Sequence, residues 1–295
     1  MSSQLKGTIA LILSAAIFGS YGIYSRMIGL NFGIFSQSWI RNGITSLILF
    51  APMIIYRNWF KKIQKKDLIW LTLWTLGGSV NMVFFFIASN YLTFGTLYFI
   101  AYAFIIVTGF ILGSILFKEK MNLMKIVSAS LALLGLFLVC SATYKQSPIL
   151  YLIFAAIVGI TASFWSTLSK KISHHYSNFQ MTGMDAFISF LVTFILAVLI
   201  HEPVPHFQFS ISWLGLFLNI LAQIAGVGAV VYGYKHLEVQ LASIITPVEV
   251  AFAAMFGFIL FKEILPPLSF FGGLCIFTAA ILPHVKSIYD LRSRK

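Results

Sequence analysis

Two short stretches of this sequence read almost identically: ILFKEK at residues 115–120 and ILFKEI at residues 259–264. They are separated by 144 residues, and each follows a long apolar segment. At the same separation Arg41 corresponds to Asp185, so a charge inside one apolar segment matches a charge inside another. Self-similarity at a fixed separation indicates repeated structural units. We therefore predict two homologous halves, residues 1–144 and 145–295.

The amino-acid composition indicates whether water or lipid surrounds the folded chain. Hydrophobic residues make up 59% of the sequence and charged residues 9%, and the mean hydropathy is +0.93. A soluble domain has about 25% charged residues, so this chain has too few charged side chains to cover a water-exposed surface of its size. We therefore expect a lipid bilayer to surround most of the protein.

Long apolar runs recur along the whole sequence. A helix needs about 20 apolar residues to cross the hydrocarbon core, and a helix satisfies its own backbone hydrogen bonds there. The connections between the runs are too short to form a soluble domain. We predict an all-α integral membrane protein with ten transmembrane helices at 7–26, 35–56, 68–89, 93–117, 122–143, 149–170, 179–200, 211–234, 239–261 and 267–285.

Lysine and arginine residues are distributed unevenly between the two sides of such a bundle. With the N-terminus in the cytoplasm, 16 of them fall on the cytoplasmic side and three outside, at Arg26, Lys145 and Lys262. Cytoplasmic loops carry an excess of basic residues. We expect a multi-pass protein of the plasma membrane, the inner membrane of a bacterium, with both termini in the cytoplasm. The same bias explains the net charge of +12 without any binding of nucleic acid.

Each half has five spans, and this odd number determines the orientation of the second half in the membrane. An odd number inserts the second half upside down, so ILFKEK lies on the cytoplasmic side and ILFKEI outside. Inverted repeats are typical of secondary transporters, which bind substrate near the middle of the membrane between the repeats. The sequence therefore predicts two inverted five-helix repeats with a binding site at their interface.

Three further stretches carry a resemblance to a known family: IFGSYGIYSRM (17–27), WIRNGITSL (39–47) and VEVAFAAMFGFILFKEIL (248–265). With them the chain resembles the EamA family of the drug/metabolite transporter superfamily over nearly its whole length. The family often has an Arg early in its second span, and this position is Arg41. Its ninth span often has a Glu-Pro pair before a terminal Glu; Glu249 has that spacing here, with Val in place of the Pro.

The resemblance implies a fold and a general function. It implies ten helices in two inverted halves and the transport of a small solute across the membrane. The substrates of the family include amino acids, other metabolites and drugs, and those of related families include nucleotide sugars.

Three charged residues lie inside predicted spans: Arg41, Asp185 and Glu249. Each costs about 2.5–3.5 kcal/mol at a helix centre, so we expect all three to face the protein interior or a wet cavity. They form either a structural ion pair or a site for substrate or protons. Their predicted depths make Glu249 the partner of Arg41 and place Asp185 near the cytoplasmic end of its span, within reach of water. We predict that Glu249 is the central carboxylate, able to exchange a proton or to meet a substrate ammonium group.

Polar and aromatic residues in the spans are further candidates for binding substrate. Asn219 and Gln223 are four residues apart and therefore share a helix face, as do Tyr98 and Tyr102. Amides in spans either hold helices together or line a pore, and tyrosines away from the membrane surface can wall a cavity. The remaining candidates are Asn81, Trp165 and Tyr21.

Signals for an enzyme are weak. The stretch 201–206 has two histidines and a glutamate, but the second His of a zincin motif would fall on Pro205. The adjacent His174 and His175 cannot share a helix face, so we expect a solvated loop rather than a metal site. Neither cysteine has a CxxC neighbour. We predict a protein that is not an enzyme and that has neither cofactor nor metal.

Our leading hypothesis is a secondary transporter that moves a small polar metabolite, amino-acid-like in its chemistry, by alternating access. Such a transporter needs a polar cavity closed to lipid. The alternative is a translocator of lipids or lipid precursors, whose cavity would open sideways to the bilayer. Glu119 and Glu263, each beside a lysine at a span end, anchor the helix ends or close the cavity. The sequence leaves the oligomeric state open.

Overall fold

Helices account for nearly all of the described chain. The computed structural model describes residues 3–56, 60–141, 147–264 and 266–292, and within these ranges it contains α-helices and short 3-10 turns but no strand. The α-helices are α1 (Ser3–Gly19), α2 (Tyr21–Ile28), α3 (Ile34–Ile55), α4 (Leu68–Tyr91), α5 (Phe94–Phe117), α6 (Leu123–Cys140), α7 (Ile149–Ile172), α8 (Asn178–Leu199), α9 (Ile211–His236), α10 (Val239–Ile245), α11 (Val248–Phe261) and α12 (Pro267–Arg292).

Nine helical segments of the described chain are long and apolar enough to cross a membrane. They correspond to the first nine predicted spans, with α1 and α2 together forming the first and α10 and α11 the ninth. The predicted span 267–285 corresponds to a shorter apolar segment, Pro267–Pro283, at the start of α12. Large apolar side chains such as Leu47 and Ile115 are exposed on the outside of the bundle, where a bilayer would surround them. The prediction of an all-α, multi-pass membrane protein is confirmed.

Two spans are broken in the middle. The ninth breaks at Thr246-Pro247, as the missing N–H of a proline within a helix predicts. The first breaks at Ser20, although the sequence predicted one continuous helix over 7–26. The two breaks lie against each other, because a Cβ atom on Gly19 would be 2.8 Å from Cβ of Phe252 and 3.0 Å from the carbonyl oxygen of Glu249. The close crossing of two backbones therefore accompanies a break at the Gly19-Ser20 pair, a kind of pair at which helices often kink.

Helix packing follows a regular pattern across the two predicted halves. The equivalent helices α3 and α8 pack on each other, as do α6 and α12. The contact of α4 with α7 is matched by that of α9 with α1, and the contact of α5 with α7 is matched by that of α11 with α1. Exchanging the first five spans with the last five therefore reproduces the main contacts of the bundle.

The crossing of α6 and α12 depends on two glycines. A Cβ atom on Gly135 would be 2.6 Å from the carbonyl oxygen of Gly272, and a Cβ atom on Gly272 would be 2.6 Å from the carbonyl oxygen of Gly135. Small residues allow such close approach of helices in membranes. The interface between the last spans of the two halves is therefore a backbone-to-backbone contact.

We expect Gly135→Ala to lower the melting temperature of the purified protein by several degrees. The added methyl group must push two backbones apart, and overpacking of this kind costs about 1–3 kcal/mol. Gly22→Ala is the matched control, because a Cβ atom there meets nothing within 4 Å. Equal melting temperatures for the two variants, measured in the same detergent, would contradict the tight crossing.

Candidate functional site

A cavity of about 140 Å³ lies at the interface between the two halves. Residues from α1, α5, α7, α9 and α11 line it, so both halves contribute to its wall. Most of the lining is apolar, and the volume is below the roughly 300–1,000 Å³ of typical ligand pockets. The cavity therefore accommodates a small group in this conformation. Its polar lining residues are Ser14, Tyr102, Trp165, Ser166, Tyr234, Thr246 and Glu249.

Glu249 is the charged residue that lines this cavity. It lies in the first turn of α11, directly after the break at Pro247. The start of a helix carries a partial positive charge, which stabilises a carboxylate placed there. The hydroxyl of Tyr102 is within hydrogen-bonding reach of the Glu249 carboxylate. Among the described residues Glu249 has no ion-pair partner, so its charge is available to a ligand.

Two tyrosines of α5 extend the wall beside Glu249. The ring centroids of Tyr98 and Tyr102 are 5.9 Å apart, as their spacing of four residues predicted. Tyr102 is buried and lines the cavity, whereas Tyr98 is half-buried and packs against Phe85 with ring centroids 6.1 Å apart. Both tyrosines lie within electrostatic range of Glu249. The structure therefore brings these three candidates together.

Arg41 lies on α3 and forms no ion pair with any carboxylate of the described chain. Its Nη1 atom is 3.5 Å from Oδ1 of Asn219, and its Nε atom is buried without a hydrogen-bond partner. The expected pairing of Arg41 with Glu249 is therefore wrong. Tyr21, at the start of α2, lies within electrostatic range of both Arg41 and Glu249, but only Glu249 lines the cavity.

Asp185 differs from its predicted environment. We expected water to reach it near the end of its span, but only 7% of its surface is exposed. The indole N–H of Trp165 donates to its Oδ1 atom at 2.9 Å. Gly78 leaves the space for this contact, because a Cβ atom there would be 2.8 Å from the Trp165 ring. Asp185 therefore fixes the orientation of a tryptophan that lines the cavity.

The predicted amides have distinct surroundings. Asn81 donates to the carbonyl oxygen of Val158 at 2.6 Å and to Thr161 at 3.1 Å, so it connects α4 to α7. Gln223 donates to Oδ1 of Asn42 at 2.6 Å, while its own Oε1 atom is buried without a partner. Asn81 therefore holds helices together, whereas Asn219 and Gln223 connect α9 to α3 beside Arg41.

Sequence reasoning missed several residues of the site. Ser14, Ser166 and Thr246 line the cavity, but single hydroxyl residues in apolar helices have no spacing that distinguishes them from packing residues. Asn42 is adjacent to Arg41 in the sequence and buried against Gln223. An amide next to an intramembrane arginine was the available signal for this residue.

The histidine motifs lie outside this site. Glu202 caps the start of α3 by accepting from the backbone N–H groups of Phe35 and Ser36. His175 is not simply solvated as expected, because its Nδ1 atom is 2.8 Å from Oδ2 of buried Asp67. In the described part of the chain, no three His, Cys, Asp or Glu side chains are placed to hold a metal ion.

The fold is that of a multi-pass α-helical membrane protein with a cavity in its interior. The model of the EamA-like transporter family matches the sequence twice, at residues 5–141 and 149–283. The chain therefore belongs to the EamA-like transporter family, whose members are membrane transporters of the drug/metabolite type. Among curated proteins no sequence matches the chain.

A solved structure supports the fold independently. A crystal structure aligns with 96% of this chain and 97% of its own, with a TM-score of 0.77. The two sequences are 14% identical. At this identity the similarity demonstrates a common fold and carries no information about substrate.

Proposed function

We propose that this protein is a secondary transporter for small zwitterionic metabolites of the amino-acid type. One observation supports the proposal: the interior contains an arginine and a glutamate, both within electrostatic range of Tyr21, and neither forms an ion pair within the described chain. Charges inside membrane spans are costly and mark sites for substrates or ions. A solute that carries both charges would satisfy both residues at once.

The chemistry of Arg41 and Glu249 indicates which end of such a solute each residue would bind. A guanidinium binds a carboxylate through parallel hydrogen bonds, so Arg41 is the partner for the substrate carboxylate. Glu249, with Tyr102 and Thr246 beside it, is the partner for the substrate ammonium group. The apolar part of the cavity, formed by residues such as Phe18 and Ile105, would hold the side chain.

The architecture supports transport by alternating access. The main helix contacts recur when the two halves are exchanged, and the cavity lies where the halves meet. This arrangement is the one expected for ten spans in two inverted repeats, with the substrate bound at their interface. We place both termini in the cytoplasm of a bacterium, on the basis of the distribution of basic residues.

Uptake of matched analogues by proteoliposomes tests the proposal. An amino acid, the amine that lacks its carboxylate and the N-acetyl derivative that lacks its ammonium charge would be compared. We expect both analogues to be transported at least about tenfold less efficiently, because each leaves one buried protein charge unpaired. Equal transport of the amine would contradict the role of Arg41, and equal transport of the N-acetyl derivative that of Glu249. Translocation of a labelled lipid without amino-acid uptake would favour the lipid translocator instead.

A further inference from the structure

The two halves build the same three-residue cluster from equivalent positions. In the Lys170 cluster (Phe117, Glu119 and Lys170), the Lys170 ammonium is 3.1 Å from Oε1 of Glu119 and 4.7 Å from the centre of the Phe117 ring. In the Arg26 cluster (Arg26, Phe261 and Glu263), Arg26 pairs with Glu263, and its guanidinium is 3.8 Å from the centre of the Phe261 ring. All three positions are separated by the repeat distance of 144 residues.

The backbone that carries each glutamate is also repeated. Lys118 and Lys262, the residues before the glutamates, both have a left-handed backbone with φ of 55°. Each turn is closed by the N–H of the glutamate, which donates to Gly113 at 3.1 Å in one half and to Gly257 at 3.2 Å in the other. Both carboxylates therefore project from the same kind of helix end.

The two clusters lie at opposite ends of the bundle. Gly7 at the start of α1 packs on Leu237 at the end of α9, and Lys170 donates to the carbonyl oxygen of Leu237 at 2.7 Å. Met27, next to Arg26 at the end of α2, packs on Gly215 near the start of α9. The cavity with Glu249 is lined by residues from the middle of α1 and α9, such as Ser14 and Val230. The two clusters therefore lie at opposite ends of the bundle, with the cavity between them.

The ion pair of the Lys170 cluster is largely buried, although Phe117, Glu119 and Lys170 also line an open cavity of about 530 Å³. Glu119 accepts the backbone N–H groups of Val239 at 2.7 Å and Gln240 at 3.0 Å, which are the first residues of α10. The Glu119 side chain is 5% exposed and that of Lys170 is 16% exposed. A helix start with its free N–H groups is a natural partner for a carboxylate. The glutamate thus connects the ends of α5 and α7 to the start of the ninth span.

A second lysine forms polar contacts at the same end of the bundle as the Lys170 cluster. Lys125 is buried, and its Nζ atom is 2.7 Å from Oε1 of Gln240 and 2.5 Å from Oε2 of Glu238. Position 269, which corresponds to Lys125 in the other half, is a serine. The reinforcement is therefore specific to the Lys170 end.

The Arg26 cluster is open by comparison. The side chains of Arg26 and Glu263 are 53% and 50% exposed. The helix start equivalent to that of α10 is the start of α5, where the N–H of Thr96 donates to the side chain of Thr93 at 3.3 Å. The same carboxylate motif therefore connects three spans at one end of the bundle and is half exposed at the other.

We infer that the two clusters are the gates of the transport cycle, and that the structure has the Lys170 gate closed and the Arg26 gate open. The inference rests on the proposed function and assigns to it four residues: Arg26, Glu119, Lys170 and Glu263. In the opposite state Glu119 releases α10, and Glu263 binds the start of α5 in the equivalent way. Each gate closes when its glutamate binds both the cation and the N-terminus of the opposing span.

Thiol labelling tests the gates without a known substrate. Ser14→Cys places a reporter in the cavity of a protein whose Cys140 and Cys275 are replaced by Ala. An impermeant maleimide is applied from either side of oriented vesicles. We expect the parent to label faster from the Arg26 side. Lys170→Met should raise labelling from the Lys170 side about tenfold and lower it from the other side, because it removes the cation from the closed gate.

Arg26→Met is the symmetric variant and should shift labelling the opposite way, because it weakens the closed form of the other gate. Arg26 is exposed, so this variant retains a test of the gates if Lys170→Met fails to fold. Lys171→Met, one residue from Lys170 and beside the Trp70 ring, is the control and should change neither rate. The assignment of the two clusters as gates would be refuted if labelling shifted in the same direction in Lys170→Met and Arg26→Met. It would also be refuted if labelling shifted in neither variant. Opposite shifts in a protein that transports no zwitterion would support the gates and refute the substrate class.

Discussion

Reconstituted protein with Glu249→Gln is expected to lose amino-acid uptake by on the order of tenfold to a hundredfold while remaining folded. The amide keeps the shape of the side chain and its contact with Tyr102, but it removes the charge that meets the substrate ammonium group. A hydrogen bond to a charged group contributes about 1.5–3 kcal/mol, and each 1.4 kcal/mol is a factor of ten. Initial uptake rates at saturating and subsaturating substrate would measure the loss.

The same variant tests proton coupling. If Glu249 exchanges a proton during the cycle, an imposed pH gradient will change the rate of the wild-type protein but not that of Glu249→Gln. Glu202→Gln is the control for the loss of a carboxylate, because Glu202 caps α3 outside the cavity. Wild-type uptake with an unchanged pH response in Glu249→Gln would remove this role, and the buried Asp185 would be the next carboxylate to test.

Arg41→Met is expected to raise KM for a zwitterion by about tenfold or more without lowering the melting temperature. Removing one partner of a buried ion pair costs about 3–5 kcal/mol, because the other charge is left alone. Arg41 has no such partner in the described chain, and its Nε atom already lacks a hydrogen bond. Its removal therefore relieves the unsatisfied Nε atom and costs only the long 3.5 Å contact with Asn219, as is common for binding residues.

Two measurements distinguish a substrate-binding role of Arg41 from a purely structural role. Thermal unfolding in detergent, with and without substrate, reports stability and binding in one experiment. Arg41→Lys keeps the charge but loses the paired geometry, so it should fall between the wild type and Arg41→Met. A large fall in melting temperature with an unchanged KM would show that Arg41 is structural, contrary to the proposed carboxylate site.

The sequence was sufficient for the fold class because the signal is physical and local. Runs of about 20 apolar residues specify helices wherever they occur in a bilayer, and the spans predicted over 35–56 and 211–234 correspond to α3 and α9. Pro247 announced the break in the ninth span, because a proline lacks the N–H that a helix interior needs. The break at Ser20 was missed because the Gly19-Ser20 pair lies within an apolar run that predicted a continuous span, and the crossing of α11 beside it is a tertiary contact.

The site was only partly predictable for a related reason. The spacing of four residues placed Tyr98 and Tyr102 on one face, and the structure brings both near Glu249. The partner of a charge, however, depends on which helices pack together. Arg41 and Glu249 were paired by predicted depth alone, whereas α3 packs on α8 and α9, and α11 packs on α1 and α12. Depth along the membrane normal does not specify the angular position of a helix in the bundle.

The partners of Glu119 also affect how this protein is made. They all follow it in the chain: Lys170 is 51 residues later, Val239 120 residues later and Gln240 121 residues later. While the first half is being synthesised and inserted, this carboxylate stands at the end of α5 with none of these groups yet available. It becomes buried only when the ninth span has reached the bilayer. The burial of a single glutamate therefore marks the arrival of the ninth span in the bilayer, and a chain truncated before residue 239 would lack the N–H groups that bind this charge.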